Sequence, residues 1–282
     1  MFVIIGISVV LASVIGGYLM EHGNLSVLVQ PSEIVIIFGA ALGSFLIASP
    51  SNLVKSISKD IFSIFGSGGA GKTAYLEILS LLNMAFSKIR KDGLISIESD
   101  IENPKKSPMF IKYKTVVSNN HALDFICDNL KVMISTNMTP FELENLLDID
   151  INARGHDEML PSVSIGKVAD ALPGLGIVAA VLGVVLTMGK IDQPPIVLGH
   201  SIGAALVGTF LGVLMCYGFV GPISTNLEHK AKEKEVYFEV IKVSLVAFIG
   251  GSAPQMSVES GRRAIPGSHR PSFAELEKAI RK

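Results

Sequence analysis

"ALPGLGIVAAVLGVVLTM", residues 171–188, contains no charged side chain. A helix needs about 20 apolar residues to cross roughly 30 Å of hydrocarbon, so a run of this length reads as a membrane span. Three further apolar runs flank it, at residues 1–20, 34–48 and 196–223. The run at 34–48 is short, but residues 53–65 extend it as an amphipathic segment leaving the membrane. Hydrophobic residues make up 49% of the 282-residue chain and charged residues 17%, which argues against a wholly soluble protein. The expected fold is all-α, with four transmembrane helices at 1–20, 34–50, 170–189 and 196–222. A helical cytoplasmic domain is expected over 51–169 and a cytoplasmic C-terminal helix and tail over 223–282.

Basic residues set the expected topology. None of the 24 Lys and Arg precedes Lys55, so the first hairpin, Glu21 to Glu33, carries none. Thirteen lie from Lys55 to Lys167, Lys190 is alone in the second hairpin, and ten lie from Lys230 onward. Positive residues near membrane ends stay in the cytoplasm. Both termini and the long middle segment are therefore expected inside, with both hairpins outside. The N-terminal run lacks a basic leader and a small-residue cleavage site, so it reads as an anchor. Cys127 and Cys216 fall in different environments, which suggests neither a disulfide nor a metal site.

The central segment has helical periodicity. From Thr73 to Lys91, Leu76, Leu79, Leu82, Phe86 and Ile89 form one broad stripe, and Gly93 ends it. Asn119 or Asn120 can cap a second helix. Thr139 and Glu142 in "TPFE" form a capping box with Pro140 at the first helical position, opening a third helix through Leu146 or beyond. Residues 228–249 read as a helix continuing from the fourth span, and Ser272 with Glu275 form another capping box.

"FGSGGAGKTAY", residues 65–75, matches the spacing of a phosphate-binding loop from Gly66 to Thr73. Such a loop needs a strand to deliver glycines to a helix N-terminus, where backbone N–H groups cradle phosphate. No strand–helix alternation surrounds it, and the best metal-ligating acid after an apolar run, Asp148 or Asp150, falls inside the capped helix. A connector is the better reading, and neither catalysis, a cofactor nor a metal is expected.

Spans three and four carry small residues four apart: Gly176 with Ala180, Ala179 with Gly183, Gly199 with Gly203, and Gly208 with Gly212. Such stripes let helices approach closely. An ion path through lipid needs a titratable or ligating group near the midplane. No Asp, Glu, Lys or Arg lies between Asp170 and Met188 or between Ile196 and Ile223. Thr209 falls near mid-bilayer, where a hydroxyl can hydrogen-bond but cannot carry a proton's charge; back-bonding to its own helix is the plain alternative. Any ion conduction would then require a carboxylate from a partner. Pro173 and Pro222 mark the inner ends of these spans and can permit bends. Asp170 is a lone acid at the inner mouth.

"SKIRKDGLISIESDIENPKKSP", residues 87–108, alternates basic and acidic blocks, suited to a solvated face or to electrostatic docking. Its "ESDIENP", with "LPGLGIVAAVLGVV" at 172–185, "VGTFLGVLMCYGFVGPI" at 207–223 and "RPSFAELEKAI" at 270–280, resembles the MotA family of flagellar stator A-subunits. The resemblance covers nearly the whole chain. It implies a homo-oligomeric ring, a pentamer around a MotB dimer, in the bacterial inner membrane. MotB would supply the membrane aspartate and the peptidoglycan anchor, and the rotor protein FliG would receive the torque; no nucleic acid is involved. It also implies that Arg90 and Glu98 face the rotor, that Pro173 and Pro222 are the two mechanism-critical prolines, and that Ala180 and Thr209 face the MotB aspartate. Alanine at 180, where sodium-driven relatives tend to have threonine, favours protons. The Gly66–Gly71 segment departs from the family pattern. Two other classes remain as expectations to weigh: an ExbB/TolQ-type energiser and a membrane-tethered ATPase.

Overall fold

The structure, a computed structural model, describes residues 2–64 and 71–281. It is helical, with no strand among the described residues. In chain order the helices are α1 (Phe2–Met20), α2 (Leu25–Leu28), α3 (Pro31–Ala48), α4 (Ser51–Ile64), α5 (Lys72–Asp92), α6 (Glu98–Glu102), α7 (Pro108–Ile111), α8 (Lys114–Ser118) and α9 (Asn120–Ser135). There follow α10 (Pro140–Met188), α11 (Pro195–Leu214), α12 (Gly221–Ile249), α13 (Pro254–Ala264) and α14 (Phe273–Ile280). A 3-10 turn, Leu94–Ile97, joins α5 to α6, and a π-helical stretch, Met215–Val220, joins α11 to α12. Four stretches are long and apolar enough to cross a membrane: Phe2–Met20, Leu25–Ala48, Pro140–Met188 and Pro195–Ile249.

The chain divides into two compact units, one from the described residues of 1–68 and 158–230, the other from those of 69–157 and 231–282. In the first, α11 packs on α3 and α2, and α1 meets the π-helical stretch. Ile37 and Ala41 of α3 are buried with Ala169, Leu172 and Ala179 of α10 and with Cys216. The helices approach through glycine. A Cβ on Gly176 would lie 2.7 Å from the Gly208 carbonyl, and one on Gly212 would lie 2.5 Å from the Leu172 carbonyl. Neither distance leaves room for a methyl group, so these glycines bring the two backbones into contact. Gly199 and Gly203, by contrast, face open space.

In the second unit, α5 is the central helix, with α13 and α14 packed on it. Of its predicted stripe Leu79, Leu82, Phe86 and Ile89 are buried and Leu76 is half-buried. Phe86 stacks on Phe248 at 4.2 Å between centroids, and Phe125 meets Phe238 edge to face at 5.1 Å. Gly93 ends α5 at φ 85°, a conformation only glycine adopts freely. The cap chemistry is as expected. The Asn119 side chain accepts from the Ala122 N–H, Thr139 and Glu142 exchange bonds across the start of α10, and Ser272 and Glu275 do so at α14.

The structure corrects two expectations. The helix opened by Thr139 and the third span are one 49-residue helix, α10, which passes through Pro161 and Pro173 without interruption. Near Pro161, Ser162 Oγ donates to the Ser224 carbonyl at 2.9 Å and Ser224 Oγ returns a bond to the Ser162 carbonyl at 2.8 Å. Bonds from a neighbouring helix help offset the ladder bond that proline removes. At Pro222 the accommodation differs. The π-helical stretch ends with the Gly221 N–H bonded to the Cys216 carbonyl, so the chain shifts register just before the residue that cannot donate. The helix carrying the second apolar run begins at Pro31, ahead of the predicted span, and Glu33 belongs to its first turn.

Candidate functional site

The predicted residues fall into separate groups. In the first unit, Ala180 is buried and Thr209 half-buried. The helix contact sets them at one level, because a Cβ on Gly208 would stand 3.1 Å from the Ala180 nitrogen. Pro173 follows Leu172, whose carbonyl meets Gly212 further along the same seam. Asp170 and Pro222 come together around a cleft of about 640 Å³, which Gly166, Cys216, Tyr217 and His229 also line. Apolar side chains remain exposed along α10 and α11, among them Ile177, Val181, Val185, Leu206 and Phe210.

In the second unit the charge blocks separate into two kinds. Lys88 Nζ pairs with Asp100 at 2.7 Å, and Ser107 Oγ donates to the same carboxylate at 2.6 Å. Burial raises the Asp100 carboxyl, but the Lys88 and Ser107 hydrogen bonds outweigh it and hold the group below its ordinary value. That pair ties the segment after α5 back onto its helix. Arg90 and Glu98 are exposed, and no ion pair joins them among the described residues. The Arg90 guanidinium donates to the Gly251 and Ser252 carbonyls at 3.2 and 3.4 Å, just past the end of α12. It is thereby braced against its own unit while its charge faces outward.

Of the phosphate-loop match only Gly71, Lys72 and Thr73 belong to the described residues, and Gly66 to Ala70 lie outside them. Lys72 Nζ pairs at 2.6 Å with Glu275, which is already engaged in the α14 capping box. Asp148 pairs with Lys242 at 2.6 Å and Asp150 with Arg154 at 2.6 Å, so each acid proposed for a metal holds a cation of its own chain. Among the described residues no cluster of three or more His, Cys, Asp or Glu could hold a metal ion. Cys127 and Cys216 are both buried and free, and burial pushes the Cys127 thiol up to about 12.

Sequence reasoning missed one residue. Glu33, assigned to the outer hairpin, is only 6% exposed and points between α10 and α11. The runs of spans three and four hold no acid of their own, but the seam between them receives one from α3, so a carboxylate is present there besides any a partner would bring. The uncharged runs of spans three and four gave no sign of it, because this carboxylate arrives from the start of the second. A usable signal was present: Pro31 at a helical N1 position puts Glu33 at N3, inside the helix rather than before it.

Among the described residues, a helical bundle long and apolar enough to cross a membrane, with a charge-poor seam, and a second, charged helical unit define the class, a multi-span membrane protein. Residues 4–93 match the Motility protein A N-terminal family and residues 118–240 the MotA/TolQ/ExbB proton channel family. The chain is 42% identical over 281 residues to Motility protein A of Escherichia coli (strain K12), covering 100% of this chain and 95% of the relative. It is 35% identical to Chemotaxis protein LafT of Vibrio parahaemolyticus, covering 97% and 96%. The flagellar MotAB stator complex from Bacillus subtilis superimposes with a TM-score of 0.75 at 21% identity, over 95% of this chain and 96% of that one. The C. jejuni MotAB structure gives 0.78 at 18%, over 96% and 98%. The chain belongs to the motility protein A family and is a stator subunit of the flagellar motor.

Proposed function

We propose that the chain conducts protons only when assembled with a MotB-type partner, and that the resulting motion is delivered to the rotor protein FliG. The observation that carries this reading is the Ala180–Gly208 contact. It sets Ala180 and Thr209 at one level of a seam flanked by exposed apolar side chains, a surface that suits a partner's membrane helix. The partner would bring the acidic group that protons visit and the anchor to peptidoglycan. A ring of five copies in the inner membrane, with N- and C-termini in the cytoplasm, would complete the assembly. Alanine at 180 supplies no oxygen for a metal cation, which favours protons over sodium. Asp170, beside Pro222 in the inner cleft, is suited to attract cations at the cytoplasmic mouth, and Pro173 and Pro222 are the positions at which these helices would bend during ion transfer.

Arg90 and Glu98 are the rotor-facing charges in this reading, since the neighbouring Lys88–Asp100 pair is spent within the unit. The ExbB/TolQ alternative has less behind it, because the full-length relatives cited above are motility and chemotaxis proteins. Reconstitution in vesicles tests the central step. The chain with its partner should acidify the lumen under an imposed gradient, and the chain alone should not. Motor-scale proton flux through the chain alone would overturn the reading. Arg90→Glu with Glu98→Lys should abolish most torque at unchanged membrane assembly, and replacing external sodium by potassium should leave swimming speed unaltered.

A further inference from the structure

The glycines that bring α10 against α11 also leave space for an acid. Glu33 Oε2 is buried with no hydrogen-bond partner. It lies 2.5 Å from where a Cβ on Gly208 would stand, and Oε1 lies 3.5 Å from the corresponding point on Gly183. Any side chain at 208 would occupy the carboxylate's place. The acid is thus held at the level of the Ala180–Gly208 contact, with Thr209 the next residue along α11.

An isolated charge is expensive in such surroundings unless it is paired or neutralised. The packed elements offer no such pairing. Glu33 is the one charged residue of α3, α1 and α2 carry none, and α10 has none between Asp170 and Met188. On α11 the only titratable side chain is His200, eight residues before Gly208 and so about 12 Å away along the helix. Tyr18 sits in the last turn of α1, and Glu21 and His22 follow in the hairpin. The two positions it is measured against, Gly183 and Gly208, carry no side chain, and a hydroxyl placed beside them, Thr187 Oγ1, donates to the Gly183 carbonyl at 2.8 Å. A hard metal cation needs several oxygen ligands. A proton needs one lone pair.

We propose that Glu33 is a proton-binding site of the membrane unit, exchanging the coupling ion beside Ala180 and Thr209. A proton adds to Oε2 to give the neutral carboxyl, then leaves to water or to the partner's acidic group, restoring the carboxylate. The chain would then hold a titratable station of its own in addition to the partner's. This rests on the proton-conducting reading above.

The test uses the full chain with its MotB-type partner in vesicles, titrated by infrared difference spectroscopy in the carboxyl stretching region, alongside proton flux against external pH. A carboxyl band should titrate in the parent complex and vanish in Glu33→Gln. Flux should fall severalfold in that variant and lose part of its pH dependence, while Glu33→Asp should retain the band at a shifted position. A band unchanged by Glu33→Gln overturns the site. A band that vanishes with the flux–pH profile unaltered overturns the exchange with the ion path. Should Glu33→Gln fail to assemble, Glu33→Asp decides: an unshifted band overturns the site. A parent complex that passes no protons counts against the functional reading instead, while the band still judges Glu33.

Discussion

The two units solve the packing problem in opposite ways. The unit around α5 fills its interior with rings and branched aliphatics, Phe86 on Phe248 and Phe125 on Phe238, and turns its charges outward. The unit around α10 and α11 joins its helices through Gly176, Gly208 and Gly212 and leaves large apolar side chains exposed. Water explains the difference. Where water is the surrounding solvent, removing apolar surface from it stabilises the fold by about 25 cal/mol per Å², so large side chains go inside. In hydrocarbon that drive is absent between helices, and close backbone approach with interhelical hydrogen bonds takes its place. One chain therefore carries two sets of folding rules, and substitutions should act differently in each.

The largest effect should come from Phe86→Ala, which empties a stacked position in the water-facing unit and should cost about 3–5 kcal/mol. Hydrogen exchange should show lost protection across α5, α13 and α14, with the amides of α11 unchanged. Exchange rising equally in both units would mean that they fold as one.

Gly212→Ala is the converse experiment. One methyl group against the Leu172 carbonyl, 2.5 Å from the new carbon, should cost about 1–3 kcal/mol by overpacking. Disulfide trapping between α10 and α11 should weaken, and swimming should be lost. The water-facing unit should keep its exchange protection.

Acidification should also separate the units. Hydrogen bonds from Arg262 hold the Glu259 carboxyl below its ordinary 4.5; burial opposes this, and Arg263 adds to it. A group depressed in the folded state stabilises it above the unfolded value and loses that contribution as pH falls through the folded one. Acid titration should loosen α13 below about pH 4.5 in the parent protein, and Glu259→Gln should flatten the response. An unaltered acid profile in that variant would remove Glu259 from the account.

The smallest effect belongs to Ser162→Ala combined with Ser224→Ala. Each such hydrogen bond contributes about 0.5–1.5 kcal/mol net, and at this part-buried contact the pair should cost roughly 1 kcal/mol. Thermal unfolding in detergent should register a slight shift. A loss several times larger would show that the clasp also holds Pro161 in helix.

Local features were legible wherever a residue acts on its own neighbours. The α5 stripe, the Gly93 stop, the Thr139–Glu142 and Ser272–Glu275 capping boxes and the apolar runs all follow from spacing along one chain. The phosphate-loop spacing at Gly66–Thr73 shows what spacing alone leaves out, the partners: Lys72, Asp148 and Asp150 each hold a counter-charge within their unit. Helix ends near proline were the least legible. Whether Pro161 ends a helix depends on a neighbour, Ser224, which supplies bonds the local sequence cannot.

What the sequence determined alone is the partition between solvents. Composition, charge placement and periodicity are additive along the chain, so they mark the four apolar runs and the charged helical segments without reference to contacts. What only the tertiary structure decided is which side chains share a space. It divided the charged blocks into an internal Lys88–Asp100 tie and the outward Arg90 and Glu98. It also set Glu33, far away in the chain, into the gap at Gly183 and Gly208. The energy of a buried charge depends on everything packed around it, and that neighbourhood exists only once the helices have met.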